Sequence, residues 1–147
     1  MTYSPVRRTA SAATALLSAV VFAGCTMLTP APKDLDFSTS RSGERGIYRA
    51  TIQPDASPIP LHRIHSWTVE LKDVAGRPVD AAHIEVDGDM PQHRHGLPTR
   101  PRVTEALGDG RYRVEGLKFH MRGWWTVSFK VDAPAGNDEI TFNLMLR

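Results

Sequence analysis

Apolar and polar residues alternate with a period of two through most of the chain, the pattern of half-buried strands. The alternation is clearest in HSWTVELK, where His65, Trp67, Val69 and Leu71 share one face and Ser66, Thr68, Glu70 and Lys72 the other. WWTVSFKV directs Trp125, Val127, Phe129 and Val131 inward, and EITFNLML does the same for Ile140, Phe142, Leu144 and Leu146. GIYRATI, AHIEVDG, RVTEAL and RYRVEGLKF are shorter runs of the same character. In the last of these Tyr112 and Val114 lie on one face, while Leu117 and Phe119 need the opposite parity, which predicts a bulge at Gly116. Turn signals at AGRP, GDG and PAGND separate the runs, and no stretch sustains a helical period.

Seven short strands over roughly a hundred residues predict an all-β fold, an immunoglobulin-like antiparallel β-sandwich, with a small closed barrel as the second choice. The sandwich is expected over residues 45–147. Ahead of it, residues 1–24 have the basic start, apolar run and small-residue end of an export signal. The ending FAGC resembles a bacterial lipobox, in which Cys25 becomes the lipidated first residue. Residues 25–44, rich in Pro, Ser and Thr, read as a flexible tether.

Removal of residues 1–24 takes Arg7 and Arg8 with it, so 18 basic side chains become 16, equal to the 16 acidic ones. A basic excess that vanishes with the signal gives no support to nucleic-acid binding. With Cys25 as its single cysteine the domain has no internal disulfide and depends on packing.

Candidate chemistry concentrates in MPQHRHGLPTRP, residues 90–101. In an extended segment His93 and His95 project to one side and reach one ion, with Pro91 and Pro98 stiffening the flanks. Met90 shares parity with Ile84 and Val86 and points inward. His65, inward-facing at the start of its strand, can meet a loop at the same end of a sandwich. His120 and Met121 precede RGWW at a strand end, with one of the two pointing inward. Imidazole and thioether without thiolate form a soft, neutral donor set that favours copper, Cu(I) above all, over magnesium or calcium. A blue-copper centre is disfavoured, because it needs a cysteine inside the fold.

The same residues have plainer readings. His93 and His95 fit a solvated turn, Met90 fits core filling, and His65 fits a core histidine bonded to backbone. Asp87-Gly88-Asp89 reads as a turn. Trp124 and Trp125 point to opposite faces, Trp125 into the core and Trp124 toward a partner surface. No nucleophile elbow, zinc-protease helix or phosphate loop occurs, so the chain is read as a non-enzyme.

Two blocks, PIPLHRIHSWTVELKDVAGRPVDAAHIEVDGDMPQHRHGLPT and GDGRYRVEGLKFHMRGWWTVSF, resemble the FixH-like and YtkA-like family of small exported or membrane-anchored bacterial domains. His65 and Trp67, the Gly76–Val79 turn, the Met90–Gly96 run, Tyr112 and the Phe119–Trp125 block carry the resemblance, which covers residues 58–132. It implies an immunoglobulin-like sandwich and, as for some members, copper handling and cytochrome oxidase assembly. The implied ligands are Met90, His93, His95 and Met121, with His65 as a fifth. The chain departs from the membrane-spanning FixH pattern, because its apolar segment resembles a cleaved lipoprotein signal. The expectation is a periplasm-facing lipoprotein of the bacterial envelope, anchored to the membrane by lipid, that buffers copper or exchanges it with a donor or acceptor protein. The alternative is a non-catalytic envelope interaction module or structural accessory protein with no metal.

Overall fold

In the computed structural model, which describes residues 30–147, the period-two alternation becomes burial. The segment read as an export signal, with Cys25, lies outside the described residues. Nine strands form among the described residues: β1 Ser40–Ser42, β2 Tyr48–Pro54, β3 His65–Asp73, β4 His83–Met90, β5 His95–Gly96, β6 Arg102–Gly108, β7 Arg111–Leu117, β8 Gly123–Ala133 and β9 Gly136–Leu146. Seven of them are the runs expected from the alternation; β1 and β5, of three and two residues, are too short to show a period.

All pairings between these strands are antiparallel, and they run β1-β2-β3-β7-β6-β4-β8-β9, with β5 on β4. The step from β6 to β4 is a single residue pair, Glu85 with Arg102, so the strands divide there into two layers. β2-β3-β7-β6 faces β4-β8-β9, the strand order of a constant-type immunoglobulin domain. Trp67, Val69 and Leu71 from one layer and Trp125, Val127 and Phe129 from the other are at most 1% exposed and belong to one core. Each such side chain contributes about 1.5–3 kcal/mol by leaving water. Among the described residues, every strand and every fully buried apolar side chain lies between Ser40 and Leu146, and they build one core.

The expected bulge is present. His65 pairs with Leu117 and Trp67 with Val114, so β7 carries an extra residue, and Gly116 adopts φ +88°. The bulge returns Leu117 and Phe119 to the core, both at 0% exposure. GDG closes the β6–β7 hairpin with positive φ at both Asp109 and Gly110.

Two sequence readings are revised. Asp87-Gly88-Asp89 is no turn: β4 continues through it to Met90, paired along its length with β8. Gly88 is needed there because Leu97 covers it, and a Cβ would come within 2.8 Å of the Leu97 side chain. The segment read as a tether ends in structure, since Ser40–Ser42 pair with Arg49–Thr51. The turn that follows is pinned to β9 by Asp138, which is 5% exposed and accepts the backbone N–H groups of Arg45, Ile47, Tyr48 and Glu139.

Candidate metal centre

β4 delivers Met90 to one end of the sandwich, and the chain turns back at once. The Met90 carbonyl accepts the N–H groups of His93 at 2.8 Å and Arg94 at 3.0 Å, Arg94 takes φ +55°, and His95 then pairs across from Met90. Residues 91–94 are therefore a tight hairpin loop rather than the extended segment expected. The hairpin still keeps the His93 and His95 rings together, at a centroid distance of 5.8 Å. Met90 is 1% exposed, and its methyl group lies against Gly123, where a Cβ would approach it to 2.8 Å.

The second half of the site comes from residues 118–122, between β7 and β8. Trp125 donates its indole N–H to the Met121 carbonyl at 2.9 Å, and Gly123 turns the chain into β8 at φ +121°. This leaves His120 and Met121 both half-buried, His120 edge-on to the Trp125 ring at 5.5 Å and Met121 packed against the core, although the sequence reading turned only one of them inward. His95 Nε2 stands 3.3 Å from Met121 Sδ, the His95 and His120 rings are 4.9 Å apart, and His95 lies edge-on to Trp125 at 5.8 Å. Three donor side chains separated by up to 26 residues thus meet, the two imidazoles edge-on to Trp125.

The chemistry of the cluster suits a soft cation. Two donors bonded to one ion at about 2.0 Å (nitrogen) and about 2.3 Å (sulfur) lie roughly 3.3–3.6 Å apart at angles near tetrahedral. The His95–Met121 spacing of 3.3 Å falls in that range. His95 Nδ1 is 3.4 Å from the Gly96 carbonyl, so a proton held there leaves the Nε2 lone pair facing the sulfur, while the other tautomer donates Nε2–H to it. Burial, then the nearby charges of His95, His62 and Lys118, lower the His120 pKa below its ordinary 6.5. His120 is neutral at pH 7, and its buried Nδ1 has no hydrogen-bond partner among the described residues. An unpartnered buried nitrogen costs about 1–3 kcal/mol, which a bound ion would offset. Sequence reasoning left His120 out of the ligand set; the signal available for it was its position beside Met121.

Other expected residues stand apart. His65 is half-buried at the same end, but its ring contacts are Trp67 at 6.3 Å and Phe119 at 5.6 Å, and Phe119 packs on Trp125. Its Nδ1 lies 3.1 Å from the Arg63 carbonyl, the backbone bond of the plainer reading, while its buried Nε2 has no partner among the described residues. Trp124 is half-buried and donates to Asn143 Oδ1 at 3.0 Å. Among the described residues no three His, Cys, Asp or Glu side chains converge as a metal site would need, so any site here depends on thioether sulfur.

Fold and site together define a small immunoglobulin-type sandwich with a histidine and thioether cluster at one end. The chain belongs to the YtkA-like family, whose model matches residues 56–130, just over half of the 147 residues, and spans the whole cluster. None of the curated proteins matches the chain. Among solved structures it is similar to the Lin-41 filamin domain, at 14% identity and TM-score 0.41, over 64% of this chain and 89% of that one. It is similar also to the ZirS C-terminal domain, at 19% identity and TM-score 0.38, over 95% of this chain and 98% of that one. Neither likeness carries any inference about function.

Proposed function

We propose that this protein is a non-enzymatic, envelope-tethered copper-binding domain that buffers or delivers Cu(I). The 3.3 Å approach of His95 Nε2 to Met121 Sδ carries the reading, because it joins donors from two distant segments. His95, Met121 and His120 would hold the ion, His93 would close over it from the hairpin, and Met90 would back it from the core. Bound there, copper would supply one-electron and ligand-exchange chemistry. His93 is exposed at the mouth of the cluster, which suits handing an ion to a partner protein that enters the open side. The export signal and the lipobox-like FAGC support a periplasm-facing, lipid-anchored placement through Cys25.

The competing reading, an interaction module with no metal, draws on the lack of a three-residue His, Cys, Asp or Glu group among the described residues. Competition titration with Cu(I) under reducing conditions separates the two. We expect one-to-one binding that weakens at least tenfold in Met121→Leu and is lost in the His93→Ala/His95→Ala double variant. Unchanged affinity in both variants would exclude the site.

A further inference from the structure

Charge is divided unevenly between the two ends of the sandwich. Loops 55–64, 91–101 and 118–122 surround the cluster end, joined to one another by the Leu61–Phe119 bridge and the His95–Met121 contact. They contain Arg63, Arg94, Arg100, Lys118 and Arg122 against one acid, Asp55. Asp55 is already taken by Arg113 at 2.7 Å, and among the described residues none of the five loop cations is ion-paired. The turns at the far end contain Glu44, Asp80 and Asp109 against Arg45 and Arg77, with Arg77 bound to Asp73. Ile64, beside Arg63, is 67% exposed at the cluster end.

The N-terminal segment leaves from this same end. Asn143 donates to the Asp36 carbonyl at 3.0 Å and accepts from Trp124, at the start of β8. Asp36 lies eleven residue steps beyond Cys25, a reach of at most about 40 Å when fully extended. Cations without ion pairs and an exposed isoleucine, on the end from which the N-terminal segment departs, form a surface suited to an anionic bilayer.

We propose that the cluster end docks on an anionic phospholipid surface, with Arg63, Arg94, Lys118 and Arg122 meeting headgroups and Ile64 entering the interface. The envelope setting rests on the function proposed above, while the lipid contact is independent of copper. Docking would place the mouth of the cluster at the bilayer, where a membrane-embedded partner presents its own site. An acidic protein surface would satisfy the cations, yet it gives no reason for Ile64 or for the side from which the chain departs.

The test uses residues 30–147 in chelator, so that neither metal nor acyl chain contributes, sedimented with vesicles of phosphatidylcholine alone or mixed with phosphatidylglycerol. Partition onto the mixed vesicles only, weakening with salt, is expected. Arg94→Gln with Arg122→Gln should reduce it about thirtyfold, the factor for two basic residues at about 1 kcal/mol each. Arg49→Gln, at an exposed position of β2, should leave it unchanged. A polarity-sensitive label on Ile64→Cys should shift to the blue on the vesicles, while one on Asp109→Cys should not. Equal partition onto both vesicle types overturns the proposal, as does binding that survives the double variant. Absence of partition onto either vesicle also overturns it and favours an acidic protein partner.

Discussion

Asp138 offers the sharpest test of how the two layers are held together. Its Oδ1 accepts N–H groups from Arg45 at 2.8 Å and Glu139 at 2.9 Å, and its Oδ2 accepts those of Ile47 at 2.8 Å and Tyr48 at 3.1 Å. Asp138→Asn keeps the shape but replaces one oxygen by an NH2 group, so two of these N–H groups then face a donor. Each buried amide left without an acceptor costs about 1–3 kcal/mol, so the substitution should destabilise by about 2–6 kcal/mol. For a domain of this size that is a fall in Tm of about 8–24 °C at pH 7, read by calorimetry or circular dichroism. Burial acts to raise the Asp138 pKa, but the hydrogen bonds from Arg45, Tyr48, Ile47 and Glu139 outweigh it and hold the pKa below 3.8. A carboxylate whose folded pKa is depressed stabilises the fold above its unfolded value, and the contribution fades as pH falls through the folded value. The gap between wild type and variant should therefore be constant at neutral pH and narrow only below about 3.8. A gap under about 0.5 kcal/mol at pH 7, or one unchanged down to pH 2, would refute this account of Asp138.

Gly123→Ala places a Cβ against the Met90 methyl at a backbone φ of +121°, and should cost at least about 1–3 kcal/mol in urea unfolding; a neutral effect would show that Gly123 does not seat Met90. In an NMR titration of the metal-free protein His120 should protonate below 6.5, held down by burial first and then by His95, His62 and Lys118. Because the unfolded chain then takes that proton first, acidification below 6.5 should weaken the fold at this group, and a midpoint at or above 6.5 would contradict its burial.

Strands were legible because their signal is local: residues i and i+2 share a face whatever the rest of the chain does. The faces of β3 and β8, the inward turn of Met90 and the bulge at Gly116 all follow from that parity. The hairpin at residues 91–94 was read as extended, because the proline and histidine content of MPQHRHG does not reveal that the Met90 carbonyl will take two N–H groups. Asp87-Gly88-Asp89 was misread for a related reason: turn-forming residues dominate it, and only the Leu97 side chain packed over Gly88 explains the glycine within a strand. Asp138, inside a segment read as a turn signal, is a buried acceptor for N–H groups some 90 residues earlier in the chain, a role without local trace.

The amino-acid sequence alone determined the all-β architecture, the inward faces of the long strands and the restriction of soft donors to histidine and methionine. These depend on the period of the pleat and on the chemistry of side chains, both of which are properties of neighbours in the chain. Tertiary structure alone decided which donors meet. It brought His95 onto Met121, added His120, and placed Phe119 between His65 and Trp125. Those relations are set by how two layers stack and how loops from different strands share one end, and a period-two pattern carries no information about either.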